Sequence, residues 1–221
     1  RGHARCNAFG VRYINSNEKF DYVIIMDSDG EDRPIEIKEF IKKLNTDSEN
    51  SIVAKRVKRS EGPIFQFLYQ IHKLITIIFT GKKINFGNYS CLTKKDLMLI
   101  SDKQSLWSTF SGTIKKHLKN FNEIDSRRGL RYFGPSKMSI FNLSIHSLSI
   151  IAAFKYDVLF RSFLLLLILF AIDNFIGIFS LILQILLMLF CSLIFVVSRR
   201  ENKEDLFKSD TNVINEEKLF P

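Results

Sequence analysis

Residues 21–34 read DYVIIMDSDGEDRP, and the fold turns on how this stretch is read. Phe20 through Met26 is a short, nearly unbroken apolar run rich in β-branched side chains, as expected for a strand buried on both faces. It ends in four carboxylates, Asp27, Asp29, Glu31 and Asp32. Pro34 then sits where a helix can begin without needing its N–H, and Ile37, Phe40, Ile41 and Leu44 repeat along one side. Working outward, Ala4, Ala8, Val11 and Ile14 have helical spacing ahead of the strand, and SIVAKRVKR (51–59) predicts a second strand leaving into a basic loop. Helix, strand, helix, strand at these intervals imply a βαβ sheet, hence an α/β domain.

The chain has 221 residues, 32 Lys plus Arg against 23 Asp plus Glu, and a net charge of +9. The first 137 residues are rich in charge, whereas from Phe163 to Ser198 the only ionisable side chain that carries charge at neutral pH is Asp173. A soluble part followed by a membrane part is the expectation. A basic balance suits an anionic membrane and phosphorylated substrates. Nucleic acid is excluded as a partner, because no module of stacking aromatics and basic residues is visible. Cys6, Cys91 and Cys191 show neither CxxC spacing nor an evident pairing, which argues against a zinc site or a disulfide framework. The opening RGHARCNAFGVRYI has no initiator Met and no signal core, so the sequence reads as lacking its natural beginning.

Residues 64–79, IFQFLYQIHKLITIIF, are too short and too polar to span a bilayer of about 30 Å. They suit a helix lying flat on a membrane surface, with an ordinary core helix as the alternative. Residues 138–156 carry a second amphipathic stretch, with Phe141, Ile145, Leu148 and Ala152 on one face. Two apolar segments follow, at about 157–172 and 175–198, with Arg161 expected to snorkel to the headgroups and Asp173-Asn174 as the turn of a two-helix transmembrane hairpin. Lys155 and Arg161 before the pair and Arg199-Arg200 after it place the soluble domain and the tail, 199–221, in the cytoplasm, the tail being expected to be poorly ordered. The assembly implied is an integral membrane protein of the bacterial inner membrane, compatible with a monomer or a homo-oligomer.

Carboxylates at the carboxyl end of a buried strand stand where α/β folds place their ligands. Asp27 and Asp29, two apart in a loop, can converge on one hard cation, Mg²⁺ or Mn²⁺, which is commonly shared between carboxylates and substrate phosphates. A solvated acidic turn is the plain alternative. An EF-hand loop is disfavoured by Gly at the fourth place and no Glu at the twelfth.

DSDGEDRP after an apolar strand, then VAKRVKR, FGNYS and RYFGPSKMS ahead of an amphipathic helix and two spans, occur in one order. This arrangement resembles the inverting family 2 glycosyltransferases of GT-A fold, in the branch of dolichyl-phosphate mannose synthase and bacterial polyprenyl-phosphate glycosyltransferases. The resemblance implies a partial GT-A (Rossmann-like) catalytic domain over 1–137, transferring a sugar from a nucleotide-diphosphate sugar donor to a membrane polyprenyl phosphate acceptor. It makes Asp27 and Asp29 the motif for metal and donor diphosphate, and places Glu31 and Asp32 near the sugar. Arg56, Arg131, Ser136 and Lys137 would hold the acceptor phosphate or the donor diphosphate, Arg by bidentate contact and Lys as a point charge. A solvated basic loop is the alternative for Arg56.

The sequence departs from the family's pattern twice. The family's first strand and its second nucleotide-binding Asp are absent. The acidic residue that the family carries in a short helix is also absent, since that region reads SLWSTFSGTIKKH (105–117). A phosphate acceptor is already anionic near neutral pH and has little need of a general base. No base is assigned; Glu31, Asp32 and Asp102 are the nearest acids. The other readings are a processive polysaccharide synthase of the same superfamily, which the lack of an Arg beside Trp107 disfavours, and a non-catalytic membrane scaffold. His72, His117 and His146 have no ligand spacing and are read as structural or interfacial.

Overall fold

The computed structural model describes residues 2–58, 63–134 and 139–209. Side chains alternate along β1 (Tyr22–Ile25) and the residues around it, so that Val23 and Ile25 enter one apolar layer while Ile24 and Met26 enter another. The same sorting divides Val53 from Ile52 and Ala54 in β2 (Ile52–Lys58), and Leu92 from Cys91 in β3 (Phe86–Thr93). With β4 (Asn122–Arg127) these strands form one mixed sheet in the order β1-β3-β2-β4. β3 runs antiparallel to β1 and β2, and β2 is parallel to β4.

α1 (His3–Asn17), α4 (Lys94–Ser101) and α5 (Phe110–His117) cover one face, with Ala8, Val11, Leu97, Ile100, Trp107, Phe110 and Ile114 buried there. α2 (Ile37–Thr46) covers the other through Phe40, whose ring meets Tyr89 edge-on at 4.9 Å. The domain is therefore α/β. β1 contributes to both layers as its composition implies, yet it is an edge strand rather than a central one, and Tyr22 at its start is 39% exposed. The cause is β3, which inserts between β1 and β2 and breaks the simple βαβ adjacency. Gly87, Asn88 and Ser90 dilute its strand signal.

A second body of helices follows. α3 (Pro63–Thr80), α6 (Ile140–Ala152), α7 (Lys155–Ala171) and α9 (Ile178–Ser198) share a cluster of Ile151, Ala152, Val158, Ile194 and Val197, against which Ile75, Phe79 and Phe190 pack, and the short α8 (Asp173–Ile176) joins α7 to α9. On α3, Ile75 and Phe79 pack inward as in a core helix, while Phe67 and Leu74 remain 65% and 59% exposed. Among the described residues, α9 provides the one helix long and apolar enough to cross a membrane. Its 21 residues span roughly 31 Å. α7, at 17 residues, is short of the ~20 that a span needs.

The exposed Arg161 guanidinium lies over Gly81 and its Nη1 donates to the Ile78 carbonyl at 3.4 Å, placing a cation at the carbonyl end of α3. Gly81 takes a positive φ of 67° there, a conformation that favours glycine. One expectation is corrected here: the tail is not wholly loose. After α9 the chain turns into α10 (Lys203–Phe207), which buries Leu206 completely among the residues of α1 and Trp107. Apolar Leu206 and Phe207 have a place to bind, which their charged neighbours hid. Residues 210–221 lie outside the described residues.

Candidate functional site

The acidic turn after β1 is closed by its own atoms. Asp32 Oδ2 accepts the Asp27 N–H at 2.9 Å, and Asp29 Oδ1 accepts the Glu31 N–H at 3.0 Å. The segment after β4 then docks on the turn through its backbone, Gly129 N–H to Glu31 O and Tyr132 N–H to Asp29 O, both at 2.9 Å. This approach demands glycine on each side. Gly30 has φ of 92°, and a Cβ there would lie 2.8 Å from the Tyr132 ring; a Cβ on Gly129 would lie 2.4 Å from the Gly30 carbonyl oxygen.

Docking brings Arg131 onto the turn. Its Nη1 lies 3.0 Å from Asp29 Oδ2, and Nε and Nη2 donate to the two oxygens of Glu31 at 3.0 and 3.3 Å. Arg128 forms a second ion pair with Glu31. Asp27 points elsewhere: its Oδ1 meets His3 Nε2 at 2.8 Å and accepts from Asn88 Nδ2 at 3.4 Å. Arg56 covers Gly87 closely enough that a Cβ there would collide with its guanidinium, and its charge acts on Asp27 and Asp32.

These surroundings set the ionisation of the turn. The hydrogen bond that His3 donates to Asp27 raises the His3 pKa above its ordinary value against the opposing effect of burial, with the charges of Asp27, Asp29 and Asp32 adding to it. Burial pushes the Asp27 carboxyl up, but His3, Asn88 and Arg56 together outweigh it and bring the group below the usual range. Asp32 is 3% exposed, and burial raises its pKa, helped by the Asp27 charge and opposed by the Asp27 N–H, Arg56 and Arg128.

The sequence-predicted residues are therefore distributed unevenly. Asp27, Asp29, Glu31, Asp32, Arg56 and Arg131 gather at the end of β1. Asp102 does not: it lies beyond α4, where it accepts from Arg12 at 2.9 Å. Ser136 and Lys137 lie outside the described residues. Asp32 acts within the turn as a buried acceptor rather than facing the site. Glu31 and Asp29 are partnered by arginine, so these acids are neutralised by protein cations as they stand.

Sequence reasoning missed His3, Asn88 and Arg128. Asn88 lay within the quoted phrase FGNYS and Arg128 three residues ahead of RYFGPSKMS, but nothing marked His3. The histidines set aside as scattered also change standing: burial holds His146 at a pKa of about 4, and His3, Arg56, His72 and Asp27 all act on it electrostatically. α3 and α6 thus bring His72 and His146 toward the acidic turn.

Among the described residues no three His, Cys, Asp or Glu side chains form a metal cage. The donor set offers carboxylates of one loop alone. That set fits Mg²⁺ or Mn²⁺ only as an ion shared with a phosphorylated substrate, one or two carboxylates on the protein side and phosphate oxygens with water completing the shell.

No protein-family model and no curated protein matches this chain.

Proposed function

We propose that the chain is an inverting glycosyltransferase of the family 2, GT-A type, moving a sugar from a nucleotide-diphosphate donor to a polyprenyl phosphate such as undecaprenyl or dolichyl phosphate. The observation that supports this reading is the meeting of Asp29 with Arg131 and of Asp27 with His3 and Asn88 at the end of β1. Carboxylates and cations alternate there within reach of one another, as a site for metal-bridged phosphate needs. In this reading Asp29, together with Asp27 once turned from His3 and Asn88, would hold the shared Mg²⁺ or Mn²⁺, which would neutralise charge on the leaving diphosphate. A bound phosphate would draw Arg131 from its carboxylates and take its bidentate contact. Arg56 supplies further positive charge; the family resemblance would add Ser136 and Lys137, which lie outside the described residues.

α9 is read as one membrane span and α7 as its partner in a hairpin, with the domain and tail cytoplasmic. The Ser180 hydroxyl of α9 donates to the Leu169 carbonyl of α7 at 2.9 Å and accepts from Gln184, which supports the pairing. The exposed apolar row of α3 would then rest on the same bilayer that supplies the acceptor.

A second reading has a specific observation behind it. Arg128 and Arg131 already neutralise Asp29 and Glu31, which suits a non-catalytic membrane scaffold whose acidic turn is a structural ion-pair knot. Membranes carrying this protein, supplied with Mg²⁺ or Mn²⁺, labelled nucleotide sugars and polyprenyl phosphate, decide between them. Labelled, solvent-extractable lipid that disappears with Asp29→Ala supports transfer. No label from any donor supports the scaffold.

A further inference from the structure

α5, the loop after α4 and α10 border an open cavity of about 250 Å³, at which Lys116 and Lys203 are exposed. Lys103, Lys116, His117 and Lys203 line it, with Asp102 as the acid among them. The nearby carboxylates are already engaged: Asp102 accepts from Arg12 at 2.9 Å, and Glu201, itself 2% exposed at its side chain, accepts from Lys155 and Gln104 at 3.4 Å. Lys103, Lys116 and Lys203 thus border one small space, with the Lys116 ammonium on the Ala153 carbonyl and that of Lys203 5.6 Å from the Phe207 ring centroid. We infer that this cavity binds a phosphate anion, the headgroup phosphate of an anionic lipid at the cytoplasmic edge of α9.

The chemistry favours phosphate because lysines act as mobile point charges with several N–H donors each, and a compact anion can gather all of them. His117 reports the field inside: burial, then Lys116 and Lys103, drive its pKa down to about 4, so the imidazole is neutral and adds a hydrogen-bonding group rather than a fourth charge. The position favours a lipid. Lys203 opens α10 just after α9 ends at Ser198, and Lys116 Nζ donates at 2.5 Å to the carbonyl of Ala153, at the junction of α6 and α7. The cavity therefore borders the point where the apolar helices leave the globular domain. The lipid source rests on α9 crossing a membrane, as proposed above.

The test places the full chain in nanodiscs of phosphatidylcholine alone, or with phosphatidylglycerol added, and reads the unfolding midpoint. Phosphatidylglycerol is expected to raise the midpoint by about 4 °C. The rise should vanish in Lys103→Gln/Lys203→Gln and in Lys203→Gln alone, and persist in Lys119→Gln, whose lysine is exposed elsewhere. Inorganic phosphate, matched in ionic strength by chloride, is added to the phosphatidylcholine discs as a second arm. A lysine-dependent rise with phosphate alone assigns the site to a soluble phosphate. No rise with either, or an equal rise in the double variant, overturns the site. Alkaline extraction of the wild-type membranes tests the insertion of α9 separately.

Discussion

Arg131 grips two carboxylates at once, Asp29 at 3.0 Å and both oxygens of Glu31 at 3.0 and 3.3 Å, across a loop that joins the ends of two non-adjacent strands. A planar guanidinium can do this and an ammonium cannot. Arg131→Lys should therefore lose the fork while keeping the charge. If the chain carries out the proposed sugar transfer, the expected cost is about 1–2 kcal/mol in that step, roughly a tenfold drop in rate, and about 2–3 kcal/mol for Arg131→Ala. Transfer rates of membranes carrying each variant check this. Equal rates for Lys and Arg would remove the bidentate contact from the mechanism.

The close passage of Gly30 and Gly129 gives a prediction about stability rather than chemistry. Gly30→Ala must hold a Cβ at a φ of 92° against Tyr132, and Gly129→Ala must push one into the Gly30 carbonyl. Each should cost about 2–3 kcal/mol and loosen the docking of 128–132 on the acidic turn. Hydrogen exchange at the Gly129 and Tyr132 amides, which donate into the turn, should accelerate while exchange in β2 stays unchanged.

Much of this turn was legible in the sequence. DYVIIMDSDGEDRP announces a strand, an acidic turn and a helix, and all three occur in that order because local propensities and the glycine agree. The partners were less legible. Arg131 lies 100 positions beyond Glu31, and only the family resemblance put them together. His3 reaches Asp27 because α1 packs on α4, a tertiary contact with no local signature. The strand β3 hid behind Gly87 and Asn88, residues that one expects in a loop, and its insertion moved β1 to the sheet edge. The tail misled in the other sense: ENKEDLF looks solvated by composition, yet one leucine at helical spacing is enough to dock it.

That leucine is testable. Leu206 is fully buried against the α1 layer, and Phe207 lies under Arg12, whose guanidinium carbon is 4.3 Å from the ring centroid. Leu206→Ala should destabilise the domain by about 2–4 kcal/mol. Because α1 also carries His3, the same change should raise hydrogen exchange along α1. Unaltered exchange there would show that α10 rests on the domain without holding it.

The His3–Asp27 pair predicts a pH window. The folded-state pKa of His3 is raised above 6.5, so its contribution is complete below 6.5 and is lost as pH climbs through the raised value. That of Asp27 is lowered below 3.8, so its contribution is complete above 3.8 and is lost as pH falls through the lowered value. His3→Gln keeps a donor but no charge. The stability difference between wild type and His3→Gln should be largest between those ordinary values and shrink on both sides. With His3 45% exposed at its side chain, the maximum should be only about 0.5–1 kcal/mol. Chemical denaturation at a series of pH values reads it directly.

Asp32 separates the value of a hydrogen bond from the cost of a charge. Its carboxyl is almost wholly buried and its pKa is raised, so its contribution is complete below the ordinary 3.8 and is lost as pH rises through the raised value. Where this carboxyl is ionised the turn therefore bears the cost of a buried charge, while needing its oxygen to accept the Asp27 N–H. Asp32→Asn keeps an acceptor and drops the charge. It should unfold at the same temperature as wild type or higher at pH 7, with wild type gaining on it as the pH falls toward 4. Asp32→Ala should lose about 1–2 kcal/mol at both pH values, because the Asp27 N–H is left without its acceptor. If Asp32→Asn fell as far as Asp32→Ala at pH 7, attraction to Arg56 and Arg128 would outweigh burial, and the turn would depend on the charge itself.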